Sequence, residues 1–129
     1  MKLQNGDAEN LAIWGRCIEL SKFGLQKIYD RLDIRFDHWF GESYYNDRLQ
    51  PAVDMMVEKG LAKRSDGALV VFMEDEGLQV AIVQKSDGGF NYTTTDIATV
   101  LGRVEEFAPH KIMYVTDERQ QLHFKQFFS

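Results

Sequence analysis

Three features of the sequence predict an α/β fold. From Leu11 to Leu32 apolar residues such as Leu11, Trp14, Ile18, Leu25, Ile28 and Leu32 recur at close to helical spacing. Between Leu61 and Val83 short apolar runs alternate with turn chemistry, as in small β structure. The continuous run Ile112-Met113-Tyr114-Val115 has the signature of a strand buried on both faces of a parallel sheet, and helical patterns flank it. The C-terminal third therefore reads as helix, parallel-type strand, helix, which is half of a doubly wound unit.

Each element has its own local reason. Asn5-Gly6-Asp7 is a natural helix start with Asp7 as N-cap and Asn10 as a second candidate. Gly15 and Gly24 interrupt the long helix and would let a neighbouring backbone approach; Asp30 and Asp33 stand near its end. Ile34 to Phe40 alternates as a strand does, and Gly41 ends it. Asn46 or Asp47 can cap a second helix that turns Leu49, Val53, Met56 and Val57 inward and stops at Lys59-Gly60, with Pro51 tolerated in the first turn. Lys63 to Gly67 reads as a turn between apolar runs, Met73 to Gly77 as a solvated acidic turn, and Val80 to Val83 as a strand. A helix with Ile97, Val100, Leu101, Val104 and Phe107 as its stripe follows Asp96 and leaves at Pro109. Thr116-Asp117 caps a last helix that packs Leu122, Phe124, Phe127 and Phe128 inward.

Composition excludes several function classes. With 129 residues, 44% hydrophobic and 27% charged, the chain fits one folded domain and not a disordered segment. A net charge of −5 opposes both a general nucleic-acid surface and an anionic membrane surface. Cys17 has no partner for a disulfide or a metal site and reads as a half-buried helix cysteine. The N-terminus lacks the apolar core of a signal peptide and no run is long enough to span a bilayer, so a reduced, cytoplasmic protein is expected.

The stretch Lys85 to Asp96 is the most informative. A turn signal, Ser86-Asp87-Gly88-Gly89, leads into Phe90-Asn91-Tyr92, three threonines and Asp96. On a helix, Tyr92 and Asp96 would stand roughly 40° apart on one face. Asp96 and Glu42 are the acids set beside aromatic and hydroxyl residues, and Asp96 reads equally as a helix cap. His38 beside Trp39 reads as a solvated or core histidine, and Glu105-Glu106 and Asp117-Glu118 as exposed helix charges. There is no dinucleotide or phosphate-binding glycine loop, no zinc-spaced Cys/His set and no legible Ser-His-Asp or Cys-His assembly.

A set of segments taken in order goes further. These are Phe36-Asp37-His38-Trp39-Phe40-Gly41-Glu42-Ser43-Tyr44-Tyr45-Asn46; Glu58-Lys59-Gly60-Leu61 with Ser65-Asp66-Gly67-Ala68; Gln84-Lys85-Ser86-Asp87-Gly88; Tyr92-Thr93-Thr94-Thr95-Asp96-Ile97-Ala98; and Ile112-Met113-Tyr114-Val115 to Gln120-Gln121-Leu122-His123-Phe124. From Trp14 to Phe128 they resemble the central part of the catalytic domain of arginyl-tRNA synthetase, a class I aminoacyl-tRNA synthetase. The resemblance implies a partial Rossmann-type parallel sheet flanked by helices, with a small β-containing insertion. Residues 1–41 would end the first Rossmann half, 42–85 would be the insertion, and 86–129 would begin the second half. It also implies that Tyr92, Asp96 and Gln120 recognise the side chain of L-arginine. A guanidinium is a planar fork of donors that keeps its proton, and a carboxylate with neutral acceptors beside it meets that fork best.

The departures from the family pattern bear on chemistry. The two ATP-handling signatures, His-Ile-Gly-His and Lys-Met-Ser-Lys-Ser, are absent, and Thr116-Asp117-Glu118-Arg119-Gln120 stands where many members have Gly-x-Asp-Gln. The expected function is thus a fragment of an arginine–tRNA ligase that carries part of the arginine pocket and is inactive alone. ATP with Mg2+ and tRNA(Arg) would be handled only by the full-length parent. The alternative is a free-standing synthetase-like module that binds arginine or a partner protein without catalysis, or a scaffold that forms a homodimer through an exposed sheet edge.

Overall fold

The computed structural model describes residues 2, 3 and 6–129, without the Glu76 side chain; Met1, Gln4 and Asn5, the last part of the expected helix start, lie outside the described residues. The chain forms two compact units, Met1–Trp39 and Phe40–Ser129.

The first unit is built on α1, Ala8–Leu32. Asp7 caps it as expected, its Oδ1 accepting from the Asn10 backbone N–H at 3.0 Å, and the hydrogen bonds from Asn10 hold the Asp7 carboxyl below its ordinary range. Asp33 ends the helix in the left-handed region (φ 52), and Ile34 N–H donates to the Tyr29 carbonyl at 2.9 Å. That turn folds the next residues back, so that Tyr29, Phe36 and Trp39 meet edge to face at 4.9 to 5.8 Å between centroids. The expected strand from Ile34 to Phe40 is therefore not present: no ladder partner lies beside it among the described residues, and the rings cluster instead of alternating. Two further expectations fail here. Cys17 is exposed, because no residue of α1 is buried, and nothing lies within 4 Å of where a Cβ would sit at Gly15 or Gly24.

The second unit opens with a 3-10 helix, Glu42–Arg48, that runs into α2, Leu49–Glu58. Neither Asn46 nor Asp47 caps α2, since the preceding turn already satisfies its first amides. Leu49, Val53 and Met56 point inward as expected, but Val57 is exposed. Gly60, in the left-handed region, stops the helix, and Leu61 N–H returns to the Met56 carbonyl at 3.0 Å. Three antiparallel strands follow in the order β1 (Lys63–Ser65), β2 (Ala68–Val71) and β3 (Ala81–Gln84). Asp66 and Gly67 both have positive φ, 49° and 81°, so the turn between β1 and β2 is a two-residue hairpin, tighter than the five-residue turn expected. Gly67→Ala is expected to lower the unfolding free energy by about 1–2 kcal/mol, measured by urea denaturation, because a Cβ there suits neither that backbone region nor the space. It would meet the Ser86 Cβ at 3.3 Å.

After β3 the chain makes the turn read from Ser86-Asp87-Gly88-Gly89: Gly88 N–H donates to Lys85 and Lys85 N–H to Gly89, at 3.0 and 2.9 Å. Phe90 bridges back to Gln84, and α3, Tyr92–Phe107, begins. The residues from Ile112 to Val115 form no strand; Val115 is 98% exposed, and among the described residues no strand runs alongside to share a ladder. The sheet found is thus antiparallel throughout. A 3-10 turn, Glu118–Gln120, capped by Asp117, leads into α4, Gln121–Phe128. Phe124 and Phe127 are half-buried around Tyr114, whereas Leu122 and Phe128 are largely exposed.

Two joined clusters form the core. Val53, Met56, Ala62, Leu69 and Val83 make one; Tyr45, Leu49, Ala52 and Ala98 make the other; Phe90 and Ile97 pack against both. Tyr45, 1% exposed, lies against Gly102 of α3, where the missing Cβ gives its ring room. Its hydroxyl is buried without a hydrogen-bond partner among the described residues. Tyr45→Phe is therefore expected to leave the fold intact and raise its unfolding free energy by about 1 kcal/mol, read as a higher melting temperature. Beside it, Arg48 pairs with Glu105 and with Glu106 (3.6 Å), so these two acids fasten the 3-10 helix to α3 and are not merely solvated charges. These pairs favour the charged guanidinium of Arg48 and raise its pKa further.

Candidate functional site

The site grows from the first two turns of α3. Asn91 precedes the helix without a side-chain cap, and the threonine run does the anchoring. Thr94 is buried and its hydroxyl donates to the Val83 carbonyl of β3, while the Thr95 hydroxyl donates to the Asn91 carbonyl at 3.1 Å. With Thr93 and Thr94 turned into the core, Tyr92 is 60% exposed and Asp96 stands one turn further along the same face. Asp96 is the fifth residue of the helix, so the capping alternative falls: its carboxylate lies too far along to serve the free amides of the helix start.

His123 of α4 meets both. Its Nε2 is hydrogen-bonded to Asp96 Oδ2, and its ring meets Tyr92 edge to face at 4.7 Å and 89°. The pair is sheltered but open on one side, with 16% of the His123 side chain and 26% of the Asp96 side chain exposed. Among the described residues, Asp96 Oδ1 and the Tyr92 hydroxyl make no hydrogen bond, so an acceptor and a donor–acceptor stand ready for a ligand.

Gln120, the last residue of the 3-10 turn, is exposed immediately before α4 and three residues before His123. No hydrogen bond among the described residues joins it to Tyr92 or Asp96. Close by, Thr116, Asp117, Glu118 and Gln121 border a shallow hollow of about 440 Å3 together with Phe124, Lys125 and Phe128. Within it Asp117 is held by Arg119, whose Nε approaches Oδ1 at 2.7 Å, and this hydrogen bond keeps the Asp117 carboxyl below its ordinary range. Nearby, burial pushes the Tyr114 phenol up, and the Arg103 charge pulls it partway back. Glu42 is exposed and takes no part in this site, and His38 lies in the first unit. His123 is not among the residues that the sequence singles out, because nothing in the sequence links it to a partner 27 positions away.

A family model, tRNA synthetases class I (R), catalytic domain, matches residues 1–129. The chain belongs to the arginyl-tRNA synthetase family. The arginine–tRNA ligase of Rhodopirellula baltica is 48% identical over 99% of the chain, and that of Thermobifida fusca 48% over 98%. These alignments cover 19% and 23% of the two relatives, so the chain spans about a fifth of their length. The crystal structure of arginyl-tRNA synthetase from Plasmodium falciparum superposes with a TM-score of 0.88 at 33% identity, over 98% of this chain and 22% of that one. The family is one of ligases, and the resemblance read from the motifs holds. Among the described residues no group of three or more His, Cys, Asp or Glu could hold a metal ion, and no helix is long and apolar enough to cross a membrane.

Proposed function

We propose that this chain is the central part of the catalytic domain of an arginine–tRNA ligase and carries one wall of the L-arginine pocket. The observation that carries the reading is the Tyr92–Asp96 pair, presented one turn apart on the open face of α3 with the carboxylate held by α4. Asp96 supplies the negative charge and accepts from the guanidinium fork; Tyr92 and Gln120 supply neutral hydrogen bonds and shape. In the full-length enzyme arginine reacts with Mg2+-ATP to give arginyl-adenylate and pyrophosphate, and the arginyl group then passes to a terminal hydroxyl of tRNA(Arg) with release of AMP, in the cytoplasm. The groups that stabilise charge on the phosphates belong to signatures absent from this sequence, so the chain alone neither activates arginine nor charges tRNA.

Within that enzyme, residues 1–41 end the first Rossmann half, 42–85 are the insertion and 86–129 begin the second half. The runs from Ile34 to Phe40 and from Ile112 to Val115 then serve as strands of the parallel sheet, once neighbouring strands supply their hydrogen-bond partners. The test is amino-acid-dependent ATP–pyrophosphate exchange by the full-length ligase bearing this segment. Exchange with arginine and not with lysine or citrulline supports the reading; no exchange with arginine removes it.

A further inference from the structure

We infer that His123 is a positioning residue for arginine recognition: it donates from Nε2 to Asp96 Oδ2 and fixes the carboxylate plane that the guanidinium fork must match. The inference rests on the arginine reading above and adds a residue to it.

A carboxylate only accepts, so the imidazole nitrogen that meets Asp96 is the donor. The terminal torsion of an aspartate side chain is soft, with a broad two-fold profile. Two parallel N–H···O bonds to a guanidinium require both oxygens in one plane, so a second contact that stops this rotation adds directly to recognition. His123 is itself well held. Tyr92 meets its ring at 4.7 Å, Phe124 at 4.9 Å, and Phe127 stacks on it at 6.2 Å. Gln126, one turn along α4, donates to the Gln79 carbonyl at 2.9 Å and ties the helix to the segment before β3. The donor therefore reaches Asp96 from a helix anchored independently of α3. One bond from His123 engages one lone pair of Oδ2. The rest of that oxygen and all of Oδ1 remain to accept from a ligand.

A purely structural role would have His123 only fill space between α3 and α4. The two roles separate on paired variants. His123→Phe keeps an aromatic ring in the cluster but removes the donor; His123→Gln loses the ring but places an amide N–H near the same point. In arginine-dependent ATP–pyrophosphate exchange by the full-length ligase, His123→Phe is expected to raise the KM for arginine about tenfold while kcat and the KM for ATP stay within about twofold. His123→Gln is expected to return the KM for arginine to within about threefold of the wild-type value. Thermal melts of each variant accompany the kinetics. A wild-type KM in folded His123→Phe, or a His123→Gln variant as impaired as His123→Phe, would overturn the role. Should His123→Phe fail to fold, the KM of His123→Gln decides alone, near-normal supporting the role and strongly raised overturning it. A wild-type enzyme with no arginine-dependent exchange instead brings down the arginine reading itself, an outcome distinct from both.

Discussion

Asp96→Ala is expected to reduce kcat/KM for arginine in ATP–pyrophosphate exchange by the full-length ligase by about 10²- to 10³-fold, equivalent to about 3–4 kcal/mol. Arginine enters any pocket as a cation, and removing the carboxylate leaves its fork desolvated against a methyl group. The same change also frees His123, whose Nε2 bonds Asp96 in the intact site, so some loss of docking between α3 and α4 accompanies it. Asp96→Asn separates the two effects. It keeps the volume and an oxygen for His123, yet it lacks the charge and turns an amide toward a donor-only ligand. A comparable loss in Asp96→Asn with an unchanged melting temperature assigns the effect to recognition. Near-normal exchange in either variant removes Asp96 from the pocket.

Gly102→Ala is expected to lower the unfolding free energy of the second unit by about 1–3 kcal/mol. A Cβ at Gly102 would sit 2.6 Å from Tyr45 Cε1, 2.7 Å from Cδ1 and 3.2 Å from Arg48 Cδ. The Arg48 stem can yield. The Tyr45 ring cannot, since it is packed with Leu49, Ala52 and Ala98 in the second core cluster. Alanine would favour the helix by about 1 kcal/mol over glycine, and the expected net loss means the clash outweighs that gain. Exchanging Tyr45 for leucine in the same chain opens the space and should recover part of the loss. Urea denaturation of the two single variants and the double variant reads the coupling; a Gly102→Ala protein as stable as the wild type would show that the ring has somewhere to go.

What could be read from the sequence was what local chemistry decides. Asp7 and the apolar period give α1, Lys59-Gly60 gives the end of α2, and the Asp-Gly pair at 66–67 gives the hairpin, each because the deciding atoms lie within a few residues. The runs from Ile34 to Phe40 and from Ile112 to Val115 have strand composition, but a strand exists only where another supplies its hydrogen bonds. α3 starts at Tyr92, five residues before the start that the pattern after Asp96 predicts, for a related reason. Three threonines favour extended structure locally, and they are helical here because Thr94 bonds to β3 and Thr93 is buried. With the helix beginning at Tyr92, Asp96 is no cap and shares a helical face with Tyr92. The i, i+4 spacing itself was legible. The partner was not: His123 reaches Asp96 only because α4 folds back onto α3.

We propose that the guanidinium of arginine is received at Tyr92, Asp96 and Gln120 in the full-length ligase. A crystal structure of the full-length ligase with L-arginine bound tests it most directly. The expected result has two guanidinium nitrogens within hydrogen-bond distance, about 2.7–2.9 Å, of the Asp96 oxygens, with Tyr92 and Gln120 completing the ring of contacts. An arginine side chain bound away from α3, with Asp96 still paired to His123 alone, would contradict it.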